Sequence, residues 1–588
     1  MDAALLGPET RRAALRRLAS ETFDVLVIGG GVTGMGAALD AATRGLAVAA
    51  IEQRDFAAGT SSRSSKLIHG GLRYLEQWNF ALVREALEER ALLLGRLCPH
   101  LVRPVPFLYP LRTRAIERAY VGAGVALYDL LARRRGVLPR GRLPRHRHLS
   151  RRGCLEVAPG LRRDALVGGI QYWDAQVDDA RHTLSLARTA ALHGAALATS
   201  VRAVGLLREG ERVVGVRAMC LESGEEVDVR ARQVINATGV WTDHVQELAG
   251  RGQIRVRASK GIHLVVPRER FPSDTGLILR TEKSVLFVIP WGRHWIVGTT
   301  DTDWNRDLAH PAASRADIDY LLARVNAVLV EPLGHGDIEG VYAGLRPLLS
   351  GESEETSRLS REHAVSQTVA GLLTVAGGKY TTYRVMARDA VDAAARNLGG
   401  SVAPSCTHET PLVGAEGYDA LWNRRARLAA DWDLPVARIE RLLGRYGARA
   451  LEVLETTRAR PALAQPLAGA EDVLAAEIRY AASHEGALHL DDALTRRTRI
   501  SIETFHRGVG CAREAADLLG EVLGWSEVDR QREVAHYEAR VRAERDSQQQ
   551  SDDRTADAAR LGAADVRLGR APGAAGESLG RKPQRVEQ

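Results

Sequence analysis

The residues whose spacing first points to chemistry are three glycines near the amino terminus, in the stretch G-G-G-V-T-G. Gly29, Gly31 and Gly34 fit the pattern G-x-G-x-x-G. Such a turn lets the backbone approach a pyrophosphate, and the free N–H groups of the following helix favour its negative charge. Glu52 follows about 20 residues later, where a carboxylate can accept a hydrogen bond from an unphosphorylated ribose. Together these residues predict a site for FAD or NAD rather than NADP.

The elements around the glycines come in the order that such a site requires. Residues 25–28 are apolar and β-branched, as in a buried parallel strand, residues 37–44 favour a helix, and residues 47–51 favour a second strand. Gly29 permits the tight turn, and Gly34 lets the helix and strand pack closely. Strand, turn, helix, strand and acid in this order are stronger evidence than the glycine pattern alone.

A second polar stretch, residues 59–76, follows the acid and reads G-T-S-S-R-S-S-K-L-I-H-G-G-L-R-Y-L-E. Small hydroxyl side chains can donate to phosphate and to flavin edges, and paired glycines let a ring system approach the backbone. The cofactor contacts predicted here are Thr60, Ser61, Ser62, Ser65, Lys66, His69, Gly70 and Gly71.

These two stretches resemble those of the FAD-dependent glycerol-3-phosphate dehydrogenase family. The likeness covers about residues 22–540 and continues, in order, through W-D-A-Q-V-D-D-A-R (173–181), V-I-N-A-T-G-V-W (234–241), S-K-G-I-H-L-V-V-P (259–267), F-V-I-P-W (287–291), V-G-T-T-D-T (297–302), Y-A-G-L-R-P-L (342–348), A-G-G-K-Y-T-T-Y-R (376–384) and D-A-L-T-R-R-T-R (492–499). The agreement in order and approximate spacing of so many separate motifs makes the resemblance specific.

The resemblance implies an α/β fold: a Rossmann-like FAD-binding domain of the D-amino-acid-oxidase type, with an inserted antiparallel sheet as the floor of a substrate pocket and a C-terminal all-α domain. We place an N-terminal extension at 1–21, the FAD-binding domain at 22–400, its insertion at approximately 75–175 and 255–345, and the helical domain at 401–545. Helices are predicted in that last domain at 420–430, 436–446, 470–484, 502–523 and 526–542. Residues 546–588 lack apolar periodicity, which predicts a disordered tail.

FAD is the cofactor that the resemblance implies. It adds a second group of cofactor contacts from later in the chain: Ala237, Thr238, Gly239, Gly378, Lys379, Thr381 and Thr382. The arginines within residues 495–499 are interpreted as structural. The five cysteines are scattered and never form C-x-x-C, so no disulfide framework and no metal site is expected.

The implied reaction is the oxidation of glycerol 3-phosphate, which needs a cationic clamp for the phosphate, a base for the C2 hydroxyl and a hydride acceptor, the flavin. A guanidinium suits phosphate because it donates two parallel hydrogen bonds, and an imidazole suits a base near neutral pH. The predicted catalytic residues are His263, Arg346, Lys379, Arg73, Tyr74 and His69. We favour His263 as the base, with Arg346 near the hydroxyl, and Arg73 and Lys379 toward the phosphate.

The electron acceptor implied for a bacterial dehydrogenase of this family is membrane quinone. An oxidase that uses oxygen is the first alternative, and an amine or amino-acid oxidase of the same fold is the second, although the latter has no need of so many cations. No run of about 18 apolar residues occurs, and the N-terminus lacks the apolar core of a signal peptide. We therefore expect a cytoplasmic protein that binds peripherally to the inner face of the cell membrane.

A basic segment, residues 133–152, carries nine arginines, two histidines and no acid, within a chain of net charge +8. A flexible solvated loop, a patch for anionic lipid headgroups and a nucleic-acid surface are the three interpretations. No aromatic residues interleave to stack on bases, so we expect no nucleic-acid partner. Whether the chain forms a homodimer is left open.

Overall fold

The computed structural model of the chain describes residues 4–76, 78–113, 115–132, 141–250, 252–281, 285–350 and 362–569. The strands in chain order are β1 (Thr22–Ile28), β2 (Val48–Ile51), β3 (Leu67–Ile68), β4 (Arg103–Leu111), β5 (Arg147–Ser150), β6 (Gly168–Gln176), β7 (Ala196–Ala198), β8 (Val201–Glu209), β9 (Arg212–Cys220), β10 (Glu226–Asn236), β11 (Val256–Pro267), β12 (Gly276–Arg280), β13 (Val285–Trp291), β14 (His294–Gly298), β15 (Thr302–Asp303), β16 (Gly340–Leu349), β17 (His363–Val369), β18 (Leu372–Gly377), β19 (Pro466–Leu467) and β20 (Ala470–Leu474).

The helices are α1 (Pro8–Ser20), α2 (Val32–Thr43), α3 (Arg73–Glu76), α4 (Phe80–Leu92), α5 (Ile116–Leu131), α6 (Arg151–Val157), α7 (Asp179–Leu192), α8 (Thr242–Leu248), α9 (Arg315–Asn326), α10 (Tyr383–Ala395), α11 (Tyr418–Asn423), α12 (Arg425–Asp431), α13 (Val436–Tyr446), α14 (Ala450–Ala459), α15 (Ala475–His484), α16 (Ile500–Glu503), α17 (Ala512–Leu523), α18 (Glu527–Ser547) and α19 (Asp553–Arg560).

The first sheet has the order β17-β18-β10-β1-β2-β7, and β9 and β8 extend it from β10. β1 lies in its middle and runs parallel to both β2 and β10, with Leu26 opposite Ala49 and Val234. Helices α2, α7 and α10 pack together beside it. Because both faces of β1 are covered, its residues are almost all apolar. The predicted strand, helix and strand around the three glycines are confirmed.

The second sheet has the order β15-β11-β14-β13-β12-β4-β6-β3, with β16 added to β11 and β5 added to β6. It is antiparallel except where β12 runs beside β4. β11 and β16 pair so that His263 faces Tyr342 and Ser259 faces Arg346. Since side chains alternate between the faces of a strand, these four residues share one face of the sheet. β13 and β14 form a hairpin within this sheet.

The C-terminal domain is helical around its own apolar core, as predicted. One predicted helix, 470–484, is wrong in its first turn because residues 470–474 form β20, which pairs with β19. The predicted helix 502–523 is two helices, α16 and α17. Between them Gly508 has a φ of +81°, a left-handed conformation that interrupts a helix.

Residues 548–569 correct the prediction of a disordered tail. α18 continues to Ser547, α19 follows, and Val566–Gly569 forms a further turn. Low hydropathy suggested disorder, but the segment is held by charge: Arg567 is buried and pairs with Asp492 at 2.9 Å, and Asp553 pairs with the buried Lys260. Residues 570–588 lie outside the described residues.

The basic segment is only partly described, since residues 133–140 lie outside the described residues. In the remaining part, β5 pairs with β6 and Arg151 begins α6, so residues 147–152 are not a loop. Arg142, Arg145 and Arg147 have exposed side chains beside α5. Among the described residues, no helix combines the length and apolarity needed to cross a bilayer.

Candidate active site

A cavity of about 1250 Å³ lies between the two sheets. One end is walled by the glycine turn and by the segments after β2 and before β8. The other end is walled by residues 63–75, by β11 and β16, and by the loop before α10. The carboxyl ends of β1 and β2 reach this cavity, since Ile28 and Ile51 line it, as is usual for ligand sites of parallel sheets.

The glycine turn forms one cavity wall as predicted. Gly29 has a φ of +116°, and a Cβ there would come within 2.7 Å of the Ala237 carbonyl oxygen. A Cβ on Gly34 would collide with the Gly29 carbonyl, which is the close helix–strand packing predicted for it. α2 begins after Gly31, whose lack of a side chain leaves this helix end uncapped by its own N-cap residue. An anion can therefore approach these N–H groups.

Glu52 lies at the end of β2 on the same wall. Its Oε2 accepts a hydrogen bond from the Gly30 N–H at 2.6 Å, and its Oε1 accepts one from the Arg54 N–H at 2.8 Å. Burial raises the pKa of this carboxyl above its ordinary value. The carboxylate is thus held by two backbone donors at the position predicted for a ribose contact.

The polar stretch after Glu52 divides into residues that face the cavity and residues that do not. Those on the wall are Thr60, Ser61, Ser65, His69 and Gly71. Thr60 donates to the Leu345 carbonyl at 2.6 Å, and Ser61 Oγ accepts from the Val32 N–H at 2.9 Å. Ser62 and Gly70 are also predicted to contact the cofactor, but they do not line the cavity.

Lys66 corrects the prediction of a cofactor contact by its side chain. Its ammonium is fully buried away from the cavity, where it pairs with Asp179 at 2.9 Å and donates to the Ser62 carbonyl at 3.1 Å. It also lies 4.8 Å from the centre of the Tyr342 ring. Burial lowers the pKa of Lys66 below its ordinary value, and the nearby Arg499 adds to this effect. Lys66 therefore braces the loop from behind.

A buried network holds the His69–Gly70–Gly71 turn. The Gly70 N–H donates to the Tyr128 hydroxyl at 2.7 Å, and that hydroxyl donates to Asp174 at 2.7 Å. Arg90 completes the network with an ion pair to Asp174. Burial lowers the pKa of His69, so its imidazole is neutral at neutral pH.

The later cofactor contacts also reach the cavity, with one exception. Ala237, Thr238, Gly239, Gly378, Lys379 and Thr381 line the wall, whereas Thr382 is buried behind it. Thr381 Oγ1 accepts from the His69 N–H at 3.2 Å, which joins the loop before α10 to the turn described above. Two distant parts of the chain thereby form one surface.

His263 lies on the cavity wall with its ring nearly parallel to that of Tyr342, at a centroid distance of 4.7 Å. Its Nε2 is 2.9 Å from Ser65 Oγ, and its buried Nδ1 has no hydrogen-bond partner among the described residues. Burial, Arg346 and Lys66 together hold the pKa of His263 well below its ordinary value. The imidazole is therefore neutral at neutral pH and able to accept a proton.

Arg346 lies on β16 at the same end of the cavity. Its guanidinium donates to Thr299 Oγ1 at 3.2 Å and to the Thr300 carbonyl at 3.1 Å, and it lies 3.5 Å from Asp301. A Cβ on Gly261 would come within 2.5 Å of Arg346 Nη2. The glycine of K-G-I-H is therefore required for this position of the arginine.

Gly298 has the same relation to the predicted base, because a Cβ there would collide with the His263 ring. We did not predict roles for Gly261 and Gly298 from the sequence. The signal was present in the motifs K-G-I-H and V-G-T-T, because a glycine within or at the end of a strand often marks a close approach of another group.

Lys379 and Tyr74 meet on the wall near Gly71, with the ammonium 3.7 Å from the centre of the Tyr74 ring. The buried ammonium packs on the face of the ring, where the ring quadrupole attracts a cation. The side chain of Arg73 lies outside the described residues, so its predicted role is not located. The structure thus brings together His263, His69, Arg346, Lys379 and Tyr74 in one cavity.

The arginines of D-A-L-T-R-R-T-R are structural, as predicted. Arg496 and Arg497 both pair with the buried Asp55, and Arg499 pairs with Asp178 at 2.6 Å and with Asp179. These ion pairs attach the helical domain to the segments that follow β2 and β6. The three arginines do not line the cavity.

The cavity fits an extended dinucleotide such as FAD. The glycine turn leaves space that any side chain would fill, since a Cβ on Gly31 would lie 3.2 Å from Ser61 Oγ. The Nδ1 atom of His263 is a buried polar atom that has no hydrogen-bond partner among the described residues. The residues at the first end would hold the pyrophosphate and ribose, and those at the second would face the ring system.

Residues 24–384 match the FAD dependent oxidoreductase family, and residues 405–530 match the C-terminal domain of alpha-glycerophosphate oxidase. The chain is 58% identical over 566 residues to glycerol-3-phosphate dehydrogenase 2 of Mycobacterium tuberculosis, which covers 96% of each chain. It is 37% identical to the human mitochondrial glycerol-3-phosphate dehydrogenase, over 90% of this chain and 74% of the other.

The fold is similar to the X-ray structure of the glycerol-3-phosphate dehydrogenase from Bacillus halodurans complexed with FAD. The TM-score is 0.75 at 29% sequence identity, covering 92% of this chain and 98% of the other. The likeness extends over the cofactor domain, the inserted sheet and the helical domain.

Proposed function

Because the chain belongs to the family of FAD-dependent glycerol-3-phosphate dehydrogenases, we propose that it oxidises sn-glycerol 3-phosphate to dihydroxyacetone phosphate and passes the electrons to a membrane quinone. FAD is its cofactor. The observation that carries the proposal is the second end of the cavity, where a neutral imidazole and two cationic side chains face the same space.

The cations supply the phosphate site. The substrate is a dianion, and Lys379 lines the cavity with its ammonium 3.7 Å from the centre of the Tyr74 ring. Arg73 begins α3 next to Tyr74 in the chain and is proposed to join this clamp. Arg346 is instead held by Thr299, Thr300 and Asp301, which fixes its guanidinium and suits a contact to the substrate hydroxyl.

His263 is proposed to take the C2 hydroxyl proton at Nε2. A base must be unprotonated before the reaction, and the depressed pKa of His263 meets that condition at neutral pH. The stacked Tyr342 ring and the Ser65 hydroxyl fix the plane of the imidazole. Bound FAD supplies the acceptor for the hydride that leaves C2, so that C2 becomes a carbonyl carbon.

An exposed apolar surface at the cavity mouth supports a membrane acceptor. Trp78 and Ile116 are 80% and 85% exposed, and Phe80, Tyr120 and Leu130 have exposed apolar side chains nearby in the chain. Trp78, Phe80 and Tyr120 also line the mouth of the cavity. Large apolar patches of this kind mark interaction sites. We call the surface of these five residues the apolar rim.

Exposed arginines adjoin the apolar rim. The strand β5 lies against α5, since Arg118 donates to the Leu149 carbonyl at 3.0 Å. Arg147 of β5 and the preceding Arg142 and Arg145 are exposed. Apolar side chains flanked by arginines suit a membrane surface with anionic lipids. We propose that the rim docks on the inner face of the cell membrane and that quinone approaches through the mouth.

The test of the reaction is anaerobic. Addition of glycerol 3-phosphate to the purified yellow protein should bleach the flavin absorbance, whereas glycine and proline should not. Bleaching by an amino acid but not by glycerol 3-phosphate would instead identify the alternative oxidase chemistry.

Rapid reoxidation of the flavin by a soluble quinone, with little peroxide formed in air, is expected for a dehydrogenase. Peroxide formation at the full turnover rate would identify an oxidase.

The test of membrane docking is flotation with vesicles that contain anionic lipid. The double variant Trp78→Ser and Ile116→Ser should float less than the wild type while its flavin is still reduced by substrate. Val528→Ser is the matched control, since Val528 is also exposed but lies in the helical domain. Equal flotation of the double variant and the wild type would argue against the apolar rim as the docking surface.

A further inference from the structure

The C-terminal strap, residues 548–569, contacts the inserted sheet region and the segments around Glu52, although few of its residues are large and apolar. It leaves the helical domain after α18, forms α19 and ends in the turn at Val566–Gly569. Arg560 and Arg567 are buried, which arginine tolerates when it is paired. The position of the strap is therefore determined by specific charged contacts.

The first half of the strap contacts the sheet that carries His263. Asp553 pairs with Lys260 on β11, and the same ammonium pairs with Asp317 at 2.6 Å. The Arg315 N–H donates to the Gln550 carbonyl at 2.8 Å. Lys260 would keep one carboxylate partner if Asp553 were changed, so this contact can be weakened without leaving a buried cation unpaired.

The second half of the strap contacts the ribose end of the cavity, by which we mean Glu52, Arg54, Val201 and Arg202. Asp565 Oδ2 lies 3.2 Å from Arg54 Nε. Arg567 Nε donates to Ser200 Oγ at 3.0 Å. Within the described part of the chain, Asp565 is the one carboxylate that lies within 4.0 Å of the Arg54 guanidinium.

The two contacts just described join the strap to Arg54 and Ser200, which lie close to Glu52 and next to Val201 in the chain. The Arg54 N–H donates to Glu52 Oε1 at 2.8 Å, and the Arg54 carbonyl accepts from the Ser200 N–H at 3.0 Å. Ser200 precedes Val201 and has a φ of +55°, which a residue other than glycine adopts at a cost. The strap thus contacts the two segments of chain that must keep their places around Glu52.

Asp565 is the ion-pair partner of the Arg54 guanidinium, which otherwise donates to the Ala309 carbonyl at 3.1 Å and lies near three cations. Arg496, Arg540 and Arg567 all act on it from the packed helical domain and strap. Removal of one partner from a buried ion pair leaves an uncompensated charge and is strongly destabilising. Loss of the Asp565 charge should therefore displace Arg54, and with it the backbone donor to Glu52.

We propose that the C-terminal strap is a positioning element for FAD. Asp565 and Arg567 hold Arg54 and Ser200, and these two residues keep the Glu52 carboxylate in place for the cofactor ribose. The strap therefore determines how long FAD remains bound. Asp565 acts through Arg54 and has no contact with the substrate end of the cavity.

The experiment is the dissociation of FAD from the full-length holoenzyme, followed by the rise in flavin fluorescence after dilution. Asp565→Asn keeps the size of the side chain and removes its charge. The dissociation rate should rise about tenfold, which corresponds to about 1.4 kcal/mol of binding free energy. Asp565→Glu restores the charge and should bring the rate back toward that of the wild type.

Asp553→Asn is the matched control, because it removes a strap ion pair that does not touch the ribose end. Its FAD dissociation rate should equal that of the wild type within error. Equal acceleration in both variants would show that the strap stabilises the fold in general, and would overturn the proposal. An unchanged rate in Asp565→Asn would overturn it as well.

Thermal melting gives a second readout that separates cofactor affinity from fold stability. Excess free FAD should raise the melting temperature of Asp565→Asn toward that of the wild type, since a ligand that binds the native state stabilises it by mass action. If the melting temperature of Asp565→Asn stays below that of the wild type by the same amount in excess FAD, the proposal is contradicted. These readouts do not depend on the substrate or on the electron acceptor.

Discussion

The Nε2 atom of His263 lies 2.9 Å from the hydroxyl of Ser65. This contact joins the second sheet to the loop that follows β2 of the first sheet. His263 comes from β11, where it faces Tyr342 across the strand pair. Ser65 comes from the polar stretch that also supplies His69 to the cavity wall. The imidazole that is proposed as the base is thus oriented by the second sheet and by the loop between β2 and β3.

His263→Asn should slow reduction of the flavin and leave substrate binding nearly unchanged. Asparagine keeps a polar side chain but cannot take the proton, and a positioned general base contributes about 10²–10⁴-fold to a rate. Anaerobic stopped-flow measurement of flavin bleaching gives the limiting rate and the apparent dissociation constant separately. Ser65→Ala is the comparison, and it should have a smaller effect because it removes only an orienting contact. A limiting rate in His263→Asn equal to that of the wild type would remove His263 as the base.

The pH dependence of flavin reduction should reveal the depressed pKa of His263. Burial, Arg346 and Lys66 disfavour the imidazolium, so His263 remains unprotonated until the pH falls below the ordinary histidine value of 6.5. The substrate phosphate also titrates near pH 6. The quantity to plot is therefore the ratio of wild-type to His263→Asn rates, in which titration of the substrate cancels. The ratio should be constant down to pH 6.5 and fall below it. A ratio that has already halved at pH 6.5 would contradict the depressed pKa.

The cofactor end of the molecule was predictable because its chemistry is local. Gly29, Gly31 and Gly34 lie in one turn and Glu52 ends the next strand, so chain order fixes their relative positions. The positions of His263 and Arg346, which are 83 residues apart in the chain, depend on the pairing of β11 with β16. Their roles came from the family resemblance, since spacing alone does not determine a strand register.

Other features could not be predicted because the type of a residue does not reveal where its side chain points. Lys66 lies in a stretch that is predicted to bind the cofactor, yet its φ of +57° and the buried Asp179 direct its ammonium behind the wall. The C-terminal strap has no apolar periodicity, and its order depends on buried partners such as Asp492 and Lys260 that lie far away in the sequence. Long-range ion pairs leave no periodic signal in a sequence.

Tyr128→Phe should weaken the turn that carries His69. The Tyr128 hydroxyl accepts from the Gly70 N–H and donates to Asp174, so its removal leaves a buried N–H without a partner. Such a loss costs about 1–3 kcal/mol. Scanning calorimetry of the holoenzyme should show a lower melting temperature, and stopped flow should show slower flavin reduction. Tyr120→Phe on the exposed side of the same helix is the control. Identical behaviour of the two variants would show that the network does not support the turn.

His489 should make the stability of the holoenzyme depend on pH above neutrality. It is buried between Glu222, at 2.8 Å from Nε2, and Glu533, at 3.0 Å from Nδ1, and these carboxylates raise its pKa to about 10. The native state therefore holds a proton that the unfolded chain releases above pH 6.5, so this contribution to stability is complete below pH 6.5 and is lost as the pH rises toward 10.

Melting temperatures between pH 6 and 10 test this for His489→Gln. At pH 6 the variant should be less stable than the wild type by about 3–5 kcal/mol, because two buried carboxylates lose their cation. The difference between the two proteins should narrow as the pH approaches 10, where the wild-type imidazole also loses its proton. His335→Gln removes an exposed pair with Asp319 and should change neither the stability nor its slope. A difference between His489→Gln and the wild type that stays constant over this range would show that His489 is neutral in the native protein.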